Sequence, residues 1–229
     1  MKNLKYFPIL MDIHGRAVVL VGAGKVAQRK CLSLVKAGAD VMVIAPELSS
    51  GMKKLAAEGK IRHMEREYRR GDLKNATLVF AATDNQDVNK TVAEEAAQLG
   101  IPANIADSPE ISTFISPSIV SRGDLVISVS TGGKSPVMAQ KIRQELEAAY
   151  GPEYDPTLRL LSAVREKLLT EKRGSQYNKK LIAELVSRNL PGLFRKKSYN
   201  EIDRLLGEIL GPGFTLNNLE VGRKRTPHD

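Results

Sequence analysis

The turn Gly22-Ala23-Gly24-Lys25-Val26-Ala27 is the segment whose residue types most directly imply chemistry. It follows the apolar run Ala17 to Val21 and leads into a helical pattern, the context in which glycines let a backbone approach a pyrophosphate closely. Gly22 permits a tight turn, Gly24 removes the side chain that would block the phosphates, and Ala27 is small enough for a helix to pack against a strand. Free backbone N–H groups and a partial positive charge at the helix start complete an anion cradle. The implied chemistry is dinucleotide binding; a tight strand-to-helix turn without a ligand is the competing reading. The ribose contact is irregular. Ala45-Pro46 stand where a carboxylate usually ends the second strand, and Glu47, 23 residues after Gly24, is the nearest acid. Glu47 equally suits the start of the next helix, where the dipole favours a negative charge. No Arg or Lys lies between Val41 and Gly51 to meet a 2′-phosphate, which favours NAD over NADP.

Three other segments carry polar groups at element ends. Thr83-Asp84-Asn85 follows an apolar run and precedes a helical pattern, so Asp84 or Asn85 suits an N-cap. It also stands where an open α/β sheet presents groups to a ligand. Asp107 opens Asp-Ser-Pro, a turn signal, yet a carboxylate at that sheet edge can also act as a general base. The loop from Ser130 through Thr131, Gly132, Gly133 and Lys134 to Ser135-Pro136 superficially resembles a P-loop, but Ser128 stands where the first glycine is required. What remains is a small-residue loop with Ser135 as an N-cap and Pro136 at the first helical position. Its N–H groups and Lys134 can hold carboxylates; a plain helix start explains the same residues equally well. Cys31, inside the first helical pattern, reads as a buried inert thiol.

The elements that must position these groups alternate in the first half of the chain, the signature of βαβ units and a parallel sheet. Strands are predicted over Ala17 to Val21, Val41 to Ala45, Ile61 to Glu65, Thr77 to Ala82 and Ala103 to Ala106. Helices fall over Lys25 to Lys36, Ser49 to Glu58 and Asp87 to Leu99. From Thr113 two apolar runs are joined by Ser-Arg-Gly, readable as two strands or as a strand after a helical turn, and Leu125 to Ser130 leads into a helix from Pro136 to about Tyr150. Beyond Gly151-Pro152 the pattern is helical: Thr157 to Glu171, Lys179 to Arg188 and Tyr199 to Leu210, with breaks at Gly174 and Pro191-Gly192.

The 229 residues suffice for one large domain or a nucleotide domain with a smaller partner. A net charge of +9 favours a polyanionic partner. The basic stretch at Arg223, Lys224 and Arg225 has no stacking aromatics beside it and reads as a solvated tail, so nucleic acid is not expected. A single cysteine excludes an intrachain disulfide, and His14, His63 and His228 show no ligand spacing, so no structural metal is expected. No run reaches the roughly 20 apolar residues of a membrane span, and the stretch from Tyr6 to Met11 is a poor signal segment. A cytoplasmic protein is expected.

The stretches "GRAVVLVGAGKVAQRK", "AATDNQDVN", "ANIADSPEISTFISPSIV" and "STGGKSPVMAQKIRQELE", in this order over roughly residues 5 to 150, resemble the precorrin-2 dehydrogenase and sirohydrochlorin ferrochelatase module of siroheme synthases. The resemblance implies an NAD-binding Rossmann domain over residues 1–112, a dimerisation and substrate segment over 113–150 and a small helical domain over 151–215; residues 216–229 read as a basic tail from their own composition. The resemblance also implies a homodimer in which NAD⁺ removes a hydride from precorrin-2, a tetrapyrrole with eight carboxylates, to give sirohydrochlorin. Such a substrate suits the charge. The family's acidic residue falls on Asp107, as the base and, in bifunctional members, a participant in metal insertion. Cofactor positions carried over are Gly22, Gly24, Lys25, Val26, Pro46 and Glu47, with Thr83 and Asp84 as neighbours. Ser130, Thr131, Gly132 and Lys134 fall on the substrate loop, where many members have serine in place of Thr131. A non-catalytic NAD-binding regulator with a basic partner surface is the alternative, because Rossmann folds host many functions.

Overall fold

The computed structural model describes residues 5–170 and 175–221. By its contacts the chain forms two compact units, residues 1–116 with 132–134 and residues 117–131 with 135–229.

The first unit is a five-stranded parallel sheet in the order β3-β2-β1-β4-β5, made of β1 (Ala17–Val21), β2 (Asp40–Ala45), β3 (Arg62–Glu65), β4 (Leu78–Ala81) and β5 (Ala103–Ile105). Three helices, α1 (Lys25–Lys36), α2 (Ser50–Ala57) and α3 (Gln86–Leu99), connect the strands, except that no helix lies between β3 and β4. Side chains alternate across β1, so Val18 and Leu20 enter one core with Cys31, Leu34, Met52 and Leu55, while Val19 and Val21 enter another with Val92 and Ala96. A sheet covered on both faces needs near-continuous apolar strands, which is how β1 and β4 read. The strand order reverses between β1 and β4, the place where an open α/β sheet forms a crevice at its carboxyl edge.

The apolar runs after Thr113 form an antiparallel hairpin, β6 (Ser118–Arg122) and β7 (Leu125–Val129), in the second unit. Of the two readings the sequence allowed, the pair of strands is the one observed. Val120 is buried, whereas Ile119 and Val126 are exposed. After the hairpin come α4 (Pro136–Ala149), α5 (Tyr154–Thr170), α6 (Ser175–Ser187), α7 (Leu190–Arg195) and α8 (Tyr199–Leu210). The break expected at Pro191-Gly192 is instead the first turn of α7: Asn189 caps it by accepting from the Gly192 N–H at 3.3 Å, and proline is compatible with a first turn. Leu160, Leu185, Phe194 and Leu206 build the core of this unit. Phe214, Leu216 and Leu219 complete it, so residues expected in the tail from 216 onward lie in the helical core up to Val221. The contact division likewise falls after Ser116 rather than after residue 112. Residues 222–229, with Arg223, Lys224 and Arg225, lie outside the described residues, as does the break expected at Gly174.

Candidate functional site

The carboxyl ends of β1, β2 and β4 meet at a cavity of about 720 Å³ lined by Gly22, Gly24, Pro46, Glu47, Thr83 and Asp84 among others. This volume lies in the range of roughly 300–1,000 Å³ typical of small-molecule sites. Gly22 holds a φ of +102°, and a Cβ there would lie 2.8 Å from the carbonyl carbon of Ala82 and nearer still to its oxygen. The glycine therefore lets β1 and the loop after β4 approach each other. Gly24 serves differently. It is the N-cap of α1 at φ −71°, and a Cβ there would meet nothing within 4 Å, so the space beside it is open to a ligand. Ala27 is fully buried, as helix-to-strand packing requires. Among these residues the anion cradle read from the sequence has a physical counterpart: an uncapped helix start opening on a cavity.

Glu47 is exposed and its carboxylate lies 2.8 Å from the Lys53 ammonium. That hydrogen bond and charge hold the Glu47 carboxyl below the usual carboxylate range. Lys53 also lines the cavity, two residues beyond the window in which the sequence contained no cation. Thr83 is fixed by Asn89 on α3: the Thr83 hydroxyl is 2.8 Å from Asn89 Oδ1, and the Asn89 amide donates to the Thr83 carbonyl at 3.0 Å. Asn85, rather than Asp84, caps α3, accepting from the N–H groups of Asp87 and Val88. Asp84 remains on the cavity lining. Tyr68, which also lines it, donates to the buried Glu95 carboxylate, and Glu95 accepts from the Gly71 N–H at 2.9 Å. Burial and Glu95 push the Tyr68 hydroxyl far above the ordinary tyrosine range, so it stays protonated.

A second cavity, of about 230 Å³, opens at the end of β5 and is lined by Asp107, Asn104, Lys30 and Val26 among others. The first turns of α1 thus serve both: Gly24 borders the larger cavity and Val26 the smaller, whereas Lys25 lines neither. Asp107 has a φ of +60°, a left-handed conformation that Asp tolerates better than most side chains. The adjoining backbone is tied down by the Ala106 N–H to Ala81 at 2.8 Å and the Ser108 N–H to Ile105 at 3.3 Å. The turn reading of Asp107 and its place at the sheet edge therefore hold together. Cys31 is buried away from both cavities, and burial raises its thiol above the ordinary range, as an inert core cysteine requires.

In the loop between β7 and α4, Ser135 caps α4 by accepting from the Met138 N–H at 3.2 Å. The Thr131 hydroxyl is 3.1 Å from both the Ser135 carbonyl and its N–H, so its bonds close the loop on itself. Among the described residues no group of three or more His, Cys, Asp or Glu can hold a metal ion, and no helix is long and apolar enough to cross a membrane.

Missed in the sequence were Asn89, Tyr68, Lys53, Asn104 and Lys30. A polar residue on the packed face of a helix is the signal that can find Asn89; Tyr68, Asn104 and Lys30 depend on partners distant along the chain, and Lys53 on a helical turn that returns it to Glu47.

Residues 9–118 match the family described as putative NAD(P)-binding, and residues 122–149 match the sirohaem biosynthesis protein central family. The siroheme synthase of Methylobacillus flagellatus is 44% identical over 152 residues, 65% of this chain and 32% of that protein. That of Stutzerimonas stutzeri is 41% identical over 152 residues, 65% of this chain and 33% of that protein. The chain thus spans about a third of the length of these relatives. Among solved structures, SirC, a precorrin-2 dehydrogenase, matches with a TM-score of 0.73 and 25% identity, covering 90% of this chain and 99% of that one.

Proposed function

We propose that the chain converts precorrin-2 to sirohydrochlorin with NAD⁺, a reading supported by its similarity to about a third of the length of siroheme synthases and to SirC. The observation that carries this reading is a nucleotide-sized cavity at the Gly22 turn beside a smaller one holding Asp107, both bordered by α1. Bound nicotinamide supplies the hydride acceptor. The chain supplies the rest: the N–H groups after Gly24 hold the pyrophosphate, Pro46 and Glu47 border the ribose, and Thr83 and Asp84 line the opposite wall. Asp107 takes the proton as the substrate loses a hydride, so the two-electron oxidation balances with NADH and one proton released. Ser130, Thr131, Gly132 and Lys134 are assigned to substrate carboxylates by family position, with Lys134 as the cation. Purified protein given precorrin-2 and NAD⁺ is expected to produce NADH and the sirohydrochlorin absorption spectrum. Folded, NAD-binding protein without turnover overturns the reading. Insertion of Fe²⁺ or Co²⁺ is assayed separately, with sirohydrochlorin and no NAD⁺.

NAD rather than NADP is assigned because Glu47 occupies the ribose end and would repel a 2′-phosphate. The Glu47–Lys53 pair makes this testable. Glu47→Ser removes the repulsion and releases Lys53 toward a phosphate, so the ratio of kcat/KM for NADP⁺ to that for NAD⁺ is expected to rise at least about tenfold, which is about 1.4 kcal/mol. An unchanged ratio places the ribose elsewhere. The family reading also implies a cytoplasmic homodimer, and the exposed Ile119 and Val126 on the hairpin and Val137 on α4 offer apolar surface for a second copy to cover.

A further inference from the structure

The cavity that holds Asp107 carries a positive charge pattern that proton removal does not require. Arg29 and Lys30, successive on α1, both line it, together with Ser108, Ser112 and Ser116. The Lys30 ammonium donates to Asn104 Oδ1 at 2.6 Å and stands 3.5 Å from Ser116 Oγ. It also lies 5.1 Å from the centre of the Phe80 ring. Asn104 is buried and its amide donates to the Phe114 carbonyl at 2.9 Å, which fixes the oxygen toward Lys30. The cation is thus held in place by three elements of the first unit.

Neither Arg29 nor Lys30 has a carboxylate within ion-pair distance among the described residues. Burial and the neighbouring Arg29 push the Lys30 ammonium below the ordinary lysine range, and Asp107 opposes that shift. Holding a partly desolvated cation without an anion is unfavourable, and an incoming carboxylate reverses the balance. An ammonium has three donors, of which two are accounted for by Asn104 and Ser116. At about 230 Å³ the cavity is below the size of a whole-ligand site, so it admits an arm of a larger molecule.

We propose that Lys30 and Arg29 form a carboxylate subsite that takes one acidic side arm of the substrate beside Asp107. This rests on the dehydrogenase reading and deepens it. An ionised Asp107 repels a polycarboxylate; two adjacent cations offset that repulsion and attach the arm at a defined place. The anchored arm then sets which edge of the macrocycle faces the base, a positioning role distinct from proton removal.

Equilibrium binding of sirohydrochlorin, followed by its own absorption, and of NAD⁺ tests the subsite in full-length wild type, Lys30→Met, Lys30→Arg and Arg29→Gln. Lys30→Met is expected to weaken sirohydrochlorin binding about tenfold and Arg29→Gln, at the exposed position, about threefold. Both are expected to flatten its salt dependence, leave NAD⁺ affinity unchanged and raise KM for precorrin-2 more than they lower kcat. Lys30→Arg restores most of the affinity. Should Lys30→Met fail to fold, Arg29→Gln carries the test, because its side chain has no partner within the chain's described residues to lose. Wild-type affinity and salt slope in Arg29→Gln and Lys30→Met, with wild-type protein turning over precorrin-2, overturn the subsite and leave the dehydrogenase reading standing. Loss of NAD⁺ and sirohydrochlorin binding together in Lys30→Met, with Arg29→Gln unaffected, also overturns it in favour of a purely structural Lys30. A wild type that binds NAD⁺ but neither binds sirohydrochlorin nor oxidises precorrin-2 overturns both.

Discussion

Asp107→Asn is expected to lower turnover of precorrin-2 by about 10²–10³-fold while leaving the fold and NAD⁺ affinity unchanged, the loss a general base commonly accounts for. The choice of asparagine follows from the backbone. Asp107 sits at φ +60°, and asparagine adopts the left-handed region as readily as aspartate, whereas alanine there adds strain of about 1–2 kcal/mol. Asparagine keeps the side chain's length and a carbonyl oxygen but cannot accept the proton. Steady-state kinetics with NADH appearance, paired with a thermal melt and an NAD⁺ titration, separates lost chemistry from lost structure. Turnover within about twofold of wild type removes Asp107 from the role of base. A non-catalytic regulator, by contrast, would keep its output with either residue.

Much of the first unit was legible because its signals are local. Apolar runs punctuated by Gly22, Gly38 and Gly100 mark strand and helix ends within a few residues, and the observed β1 and α1 coincide with their predicted spans, as α8 does in the second unit. The cofactor turn was legible for the same reason, since strand, glycines and helix lie within about a dozen positions. Where local rules compete, the reading failed: Pro191-Gly192 carries both a break signal and a helix-start signal, and only Asn189 as the cap decides between them. Leu216 and Leu219 stand in a segment too short for periodicity to register, and tertiary packing buries them. The site beyond the turn is built from distant pairs. Lys30 meets Asn104 across 74 positions and Tyr68 meets Glu95 across 27, separations at which a single sequence carries no pairing signal. Lys53 shows the same limit at close range: the absence of cations from Val41 to Gly51 was read correctly, but a helical turn returns Lys53 to Glu47.

The two glycines of the turn are expected to fail in different ways when substituted, and the difference tests the placement of the pyrophosphate. Gly24→Val is expected to fold normally, because the position has φ −71° and extended ψ, and a Cβ meets nothing within 4 Å. Its branched side chain fills the space the phosphates need, so NAD⁺ affinity is expected to fall at least about 100-fold, or about 2.7 kcal/mol. The stabilisation that saturating NAD⁺ gives to wild type in a thermal melt should vanish with it, since a ligand that no longer binds the native state shifts no equilibrium. Gly22→Ala is expected to damage the fold first. Its φ of +102° strains any side chain, and the new methyl runs into the Ala82 carbonyl between β1 and the loop after β4. The melting temperature of the ligand-free protein should therefore drop for Gly22→Ala and hold for Gly24→Val. Calorimetric titration and melts of both variants decide the matter: a Gly24→Val protein that binds NAD⁺ as wild type does would mean that the phosphates do not pass this glycine. The loss of affinity in Gly22→Ala could not rescue the assignment, because distortion of the sheet edge at Ala82 and Thr83 disturbs the whole cavity, whereas Gly24 alone offers a substitution felt by the ligand and not by the chain.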